Sequence, residues 1–199
     1  MAAFQINNDE LYVEGVAVSK LANQFPTPFY VYSQQQLIDN YQAYKKALEG
    51  LSNTVCFAVK SNSNQAVLRV LAKQGAGADV VSLGELKRAL YAGIPASKIV
   101  FSGVGKQREE IEYALMQGIL QFNIESKAEL ETINKLAEEN QLSAKIAVRV
   151  NPDVTAKTHA KITTGAAENK FGIAYEDALG IFKLAETMRY IDVQGIHVH

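Results

Sequence analysis

The feature that most constrains this chain is a recurrence. Short apolar runs rich in β-branched residues return roughly every 20 to 25 positions over residues 55–59, 78–81, 99–101, 121–124 and 146–150, and again at 193–199. They read as buried strands. Helical patterns lie between them. Ser82 with Glu85 and Ser126 with Glu129 have capping-box spacing, and Gly93 and Gly118 stand where helices end. Leu86, Ala89 and Leu90 mark one apolar helix face, and Leu130, Ile133, Leu136 and Ala137 another. Strand and helix in alternation require a parallel sheet covered by helices, which is either an open doubly wound sheet or a (β/α)8 barrel. The periodicity fits both.

Upstream, residues 29–32 read as a lead-in strand. Ser33-x-x-Gln36 then starts a helix with Leu37, Tyr41, Tyr44 and Leu48 on one face. Residues 1–28, with Pro26 and Pro28, read as an N-terminal arm, leaving 29–199 as the main domain. Residues 151–172 break the rhythm with Asn, Asp, Thr, Lys and Gly, as a long functional loop does. His199 closes the chain inside a strand pattern, so a fragment is expected. A formal net charge of −1 without like-charge runs disfavours nucleic acid and anionic membranes as partners. Cys56 is the only cysteine, which excludes an internal disulfide and suits a reducing cytoplasm. Neither a signal peptide nor a membrane span is expected.

Several polar residues occupy positions where chemistry assembles. Lys60 follows an apolar strand, at the carboxyl end of the sheet. Position alone makes it a solvated lysine; the functional reading is an amine that forms a Schiff base with a carbonyl cofactor. Asp79 and Arg149 lie inside apolar strands and need partners there. Glu85 is accounted for by its cap, and His197 and His199 share one strand face. Gly103-Val104-Gly105-Lys106 fails as a phosphate loop, because Gln107 follows and the earlier glycine is missing. The histidines and carboxylates have no metal-ligand spacing, so no metal is expected.

Phe57-Ala58-Val59-Lys60-Ser61-Asn62 resembles the Y/F-A-V-K-x-N motif of the fold-type III decarboxylases that use pyridoxal 5′-phosphate (PLP). Further similar strings follow in order: residues 77–86, 101–106 and 149–153, His159 with Thr164-Gly165, Lys170-Phe171-Gly172, and residues 195–199. The set, covering the chain from about Phe29, is most similar to the diaminopimelate decarboxylase subfamily. The resemblance implies an alanine-racemase-like (β/α)8 TIM barrel, incomplete, with about six of eight βα units present and the C-terminal β-domain absent; the arm 1–28 would belong with that domain. It implies PLP bound to Lys60, with Asn62 on the same side of an extended chain orienting that lysine, His199 stacked on the ring, and Asp79 and Arg149 nearby. It implies decarboxylation of meso-2,6-diaminoheptanedioate to L-lysine by a homodimer. Ornithine, arginine or carboxynorspermidine decarboxylation, a non-catalytic PLP-homeostasis barrel and a cofactor-free remnant are the other readings. The isolated fragment is expected to be inactive.

Overall fold

The computed structural model describes residues 3–152 and 171–199. The chain begins with a small antiparallel sheet, β1 (Phe4–Asn7), β2 (Glu10–Val13) and β3 (Val16–Ala17), followed by α1 (Val18–Gln24). The expected N-terminal arm, residues 1–28, thus contains a sheet and a helix of its own. Its hairpins turn on Asn8-Asp9 and Glu14-Gly15, all four with positive φ, which is the backbone of a two-residue turn that matches strand twist. Glu14 ties the sheet to the next helix by accepting from Ser33 Oγ at 2.6 Å and Gln35 N at 2.8 Å.

Residues 29–32 are not a strand. Tyr30 and Tyr32 are exposed and stack on each other, and the segment has no sheet partner. Aromatic β-propensity does not make a strand where no neighbouring strand supplies the hydrogen bonds. Then come α2 (Gln34–Ala47), capped by Ser33, and β4 (Cys56–Ala58), which passes into a 3₁₀ turn, Val59–Ser61. The series continues as α3 (Gln65–Lys73), β5 (Gly77–Val80), α4 (Leu83–Tyr91), β6 (Ile99–Phe101), α5 (Arg108–Gln117), β7 (Gln121–Ile124) and α6 (Lys127–Glu139). It ends with β8 (Ala144–Asn151), β9 (Ile173–Ala174), α7 (Tyr175–Glu186) and β10 (Ile191–His197).

The strand order resolves the ambiguity that periodicity left. All pairings among these strands are parallel, in the order β4-β5-β6-β7-β8-β10, with β9 paired to the end of β8. Apart from the short β9, each strand is laid beside its predecessor and the direction never reverses. A doubly wound sheet must reverse. With right-handed crossovers, steps in one direction put every helix on the same face, and a twisted sheet covered on one face curls toward a barrel. The fold is an incomplete (β/α)8 barrel of the alanine-racemase type.

The core lies between helices and sheet. Leu86, Ala89, Leu130, Ile133, Leu136 and Ala137, the faces read from the sequence, are fully or almost fully buried, and Leu90 is partly buried. They meet Val80, Ile99, Ile124 and Ile146, with Phe101 and Phe122 stacked at 6.2 Å between centroids. Of the two expected capping boxes the serine half forms in each, while the glutamate reaches one residue past the cap. Ser82 Oγ accepts from Glu85 N, Ser126 Oγ accepts from Glu129 N, and each glutamate reaches back to the backbone of Val81 or Glu125. Among the described residues no helix is long and apolar enough to cross a membrane.

Candidate active site

The carboxyl ends of the parallel strands converge on one cavity of about 220 Å³, walled by Lys60, Asp79, Ser102, Glu125, Arg149, Phe171, His197 and His199 among others. Each strand contributes in turn, since residues 60, 79, 102, 125, 149 and 197 stand on or just beyond β4, β5, β6, β7, β8 and β10. The volume is below the ~300–1,000 Å³ of most small-molecule sites, a size suited to one substituted ring. A larger opening of about 640 Å³ beside α6 and α7 shares Glu125 but contains none of the other residues just named.

Lys60 lies in the 3₁₀ turn rather than on a strand end, exposed toward the cavity. That turn removes the extended geometry expected to align Asn62 with it. Asn62 does not line the cavity, and its Oδ1 accepts from Asn64 N at 3.0 Å. In a 3₁₀ turn residues two apart point to different sides. Asp79 has the partner its strand position demanded: Ser102 Oγ donates to Oδ1 at 2.6 Å and accepts from Asn123 Nδ2 at 2.9 Å. Arg149 also has one, Glu125 Oε2, which accepts from Nη1 at 2.9 Å, and the guanidinium lies 5.9 Å from the Phe171 ring centroid. Gly172, with φ +95°, is pressed against Arg149, so that an added Cβ would stand 3.0 Å from the arginine carbonyl oxygen. Glu85 serves its cap and does not line the cavity. Asp153, His159, Thr164, Gly165 and Lys170 lie outside the described residues.

Both histidines face the cavity, as their shared parity implied, although β10 stops at His197 and His199 lies two residues beyond it. His197 itself is half-buried. Its Nδ1 is buried with no partner among the described residues, and burial, reinforced by the Arg149 charge, holds the imidazole below its ordinary range and therefore neutral at pH 7. Glu125 and Ser102 carried no such expectation at all. The signal for Glu125 was its place, a carboxylate between the last strand residue and the helix-capping Ser126, one strand away from an arginine that needed a partner.

Cys56 lies outside this cavity, on the wall of an apolar one between α2 and β4, with its thiol 3.7 Å from the Lys98 carbonyl. Burial, with Asp79 adding, pushes the thiol up to about 11. Since the thiolate is the nucleophile, Cys56 in the folded chain should alkylate about two orders of magnitude more slowly at pH 8 than a free cysteine. Timed iodoacetamide labelling read by mass spectrometry checks this, and equal rates in folded and urea-unfolded chain would contradict it.

The cavity residues fit PLP. They provide a primary amine for its aldehyde, an imidazole for its ring face, anionic and cationic side chains, and one buried polar atom, His197 Nδ1, still lacking a partner. The comparisons agree. Residues 34–199 match the family model described as pyridoxal-dependent decarboxylase, pyridoxal binding domain. Diaminopimelate decarboxylase from Pseudomonas aeruginosa is 48% identical over 199 residues, all of this chain and 48% of the relative. Two crystal structures of diaminopimelate decarboxylases complexed with L-lysine are similar. The Helicobacter pylori one has TM-score 0.88 at 43% identity, covering 92% of this chain and 46% of that one; the M. jannaschii one has TM-score 0.89 at 41% identity, covering 99% and 47%. The chain spans about half the length of the curated relatives it matches. With Lys60 opening into a cavity that fits the cofactor, and residues 34–199 matching the pyridoxal binding domain, this chain belongs to the pyridoxal-dependent decarboxylases.

Proposed function

We propose that this chain serves the decarboxylation of meso-2,6-diaminoheptanedioate at its D-configured centre, yielding L-lysine and CO2. The observation that carries the proposal is the cavity itself, in which Lys60 faces Asp79, Arg149 and two histidines. PLP, when bound, supplies a ring that delocalises the electron pair left behind by departing CO2. Lys60 would hold the cofactor covalently through Nζ, and the same amine, when free, could carry a proton. His199 offers its imidazole face to the ring. Asp79, fixed by Ser102, sets a negative field near Lys60, and Arg149, fixed by Glu125, sets a positive one on the opposite wall. The neutral His197 adds no charge that would oppose either. We also propose that residues 1–28 pack with the half of the relatives' length that this chain does not span, and that the working protein is a cytoplasmic homodimer.

The test is a chimera in which this chain replaces the matching 48% of the Pseudomonas aeruginosa relative. Release of CO2 from meso-2,6-diaminoheptanedioate, with L-lysine formed in equal amount, is the expected result. Turnover of ornithine or arginine instead would reassign the substrate. A cofactor-loaded chimera that releases no CO2 from any of these amino acids would defeat the decarboxylase reading.

A further inference from the structure

Four residues at the carboxyl ends of β6 and β7 close a ring of hydrogen bonds. Gly103 N donates to Glu125 Oε1 at 2.9 Å, and Glu125 N donates to Glu129 Oε2 at 2.9 Å. Lys106 Nζ then joins Glu129 Oε1 at 2.6 Å to the Gly103 carbonyl at 2.9 Å. Gly103 serves the ring with both its N–H and its carbonyl, in a backbone with φ +101° that other residues rarely adopt. The Lys106 side chain is 1% exposed and that of Glu125 2% exposed, so the ring is built in dry surroundings. There an unmet polar group is costly. From this ring Glu125 extends its second oxygen to Arg149.

The pairing divides the charges of the cavity. Among the described lining residues the carboxylates are Asp79 and Glu125, and the basic side chains are Lys60 and Arg149. Among the described residues Glu125 has both oxygens committed, whereas Asp79 is hydrogen-bonded only through Oδ1. Both Arg149 and Asp79 act electrostatically on His197, which is paired with Arg149 across β8 and β10. An arginine released from Glu125 would therefore have Asp79 as its remaining carboxylate on the cavity wall. Lys60 would then face a neutralised aspartate.

We propose that Glu125 is a positioning residue that keeps Arg149 on the β7–β8 side of the cavity, leaving the Asp79 carboxylate to Lys60 and the cofactor it holds. This rests on the reading of the cavity as the PLP site. Glu125→Gln keeps the volume and can still accept from Gly103, but offers Arg149 no charge. A crystal structure of this variant should show the guanidinium turned toward Asp79; a guanidinium still seated on residue 125 would overturn the proposal.

Cofactor titration gives an independent arm. Glu125→Gln should weaken PLP binding about tenfold, and by less than about twofold when Arg149 is already methionine. An equal loss in both backgrounds would mean that Glu125 acts through the Gly103 loop and not through Arg149, and the proposal would fail. If Glu125→Gln alone does not fold, the double variant decides, because removing a buried charge together with its partner relieves the penalty of an orphaned ion. Folding and binding like Arg149→Met alone supports the proposal, and continued misfolding overturns it. Should the unsubstituted chain take up no PLP, the cofactor reading fails, while the crystallographic arm still decides the role of Glu125.

Discussion

Replacing Lys60 with alanine abolishes retention of PLP on the chain. Among the described residues lining the cavity Lys60 is the only lysine, the one described amine placed to make the covalent bond. Treatment with borohydride followed by peptide mapping should find pyridoxyl on the Lys60 peptide of the unsubstituted protein and on no peptide of the variant. In the chimera the same change removes an amine that acts as both tether and proton carrier, and CO2 release should fall by roughly 10²–10⁴-fold. Undiminished dialysis-resistant cofactor in Lys60→Ala would show that binding rests on other contacts.

The second large effect is on stability, and it comes from a position with no functional group. Gly77 opens β5 where β4 and the Lys98 carbonyl close over it, and an added Cβ would overlap that carbonyl oxygen and stand 2.7 Å from Cys56 Sγ. The obstacle is backbone and cannot rotate away. Gly77→Ala should cost about 3 kcal/mol, at the upper end of what overpacking usually does. That is a large share of a stability of roughly 5–15 kcal/mol. Gly180→Ala is the matched control. It lies within α7 with nothing within 4 Å of the added carbon, and the better helix propensity of alanine should raise stability by up to about 1 kcal/mol. Urea midpoints at constant slope report both, and a Gly77→Ala shift below about 0.5 kcal/mol would refute the steric reading.

What the sequence revealed and what it hid divide along physical lines. Buried strands and helix faces were legible because burial imposes a period, so Ile99–Phe101 and Gln121–Ile124 were located at their observed bounds. Strand order has no period, which left the choice between barrel and doubly wound sheet to the pairing itself. Residues 29–32 misled because aromatic composition was read as a strand without regard to a partner. The Asn8-Asp9 pair is a turn signal in the string, yet the strands on either side are only four residues long and carry little periodicity. At the site, Lys60, Asp79, Arg149 and His199 came from ordered motifs, and the cavity contains all four. Asn62 was misplaced because a two-residue parity was extended past the end of a three-residue strand into a 3₁₀ turn. The Glu125–Arg149 pair stayed hidden because its members are 24 residues apart, and nothing local announces a contact between neighbouring strands.

The unreversed strand order also gives the site a history. Because each unit docks on the one before it, the cavity walls arrive in the order in which they are synthesised: Lys60, then Asp79, Ser102, Glu125, Arg149, and last the two histidines. A chain leaving the ribosome folds from its N-terminal side first. The reactive amine is thus the earliest part of the site to emerge, and the imidazole that would cover the ring follows only with β10.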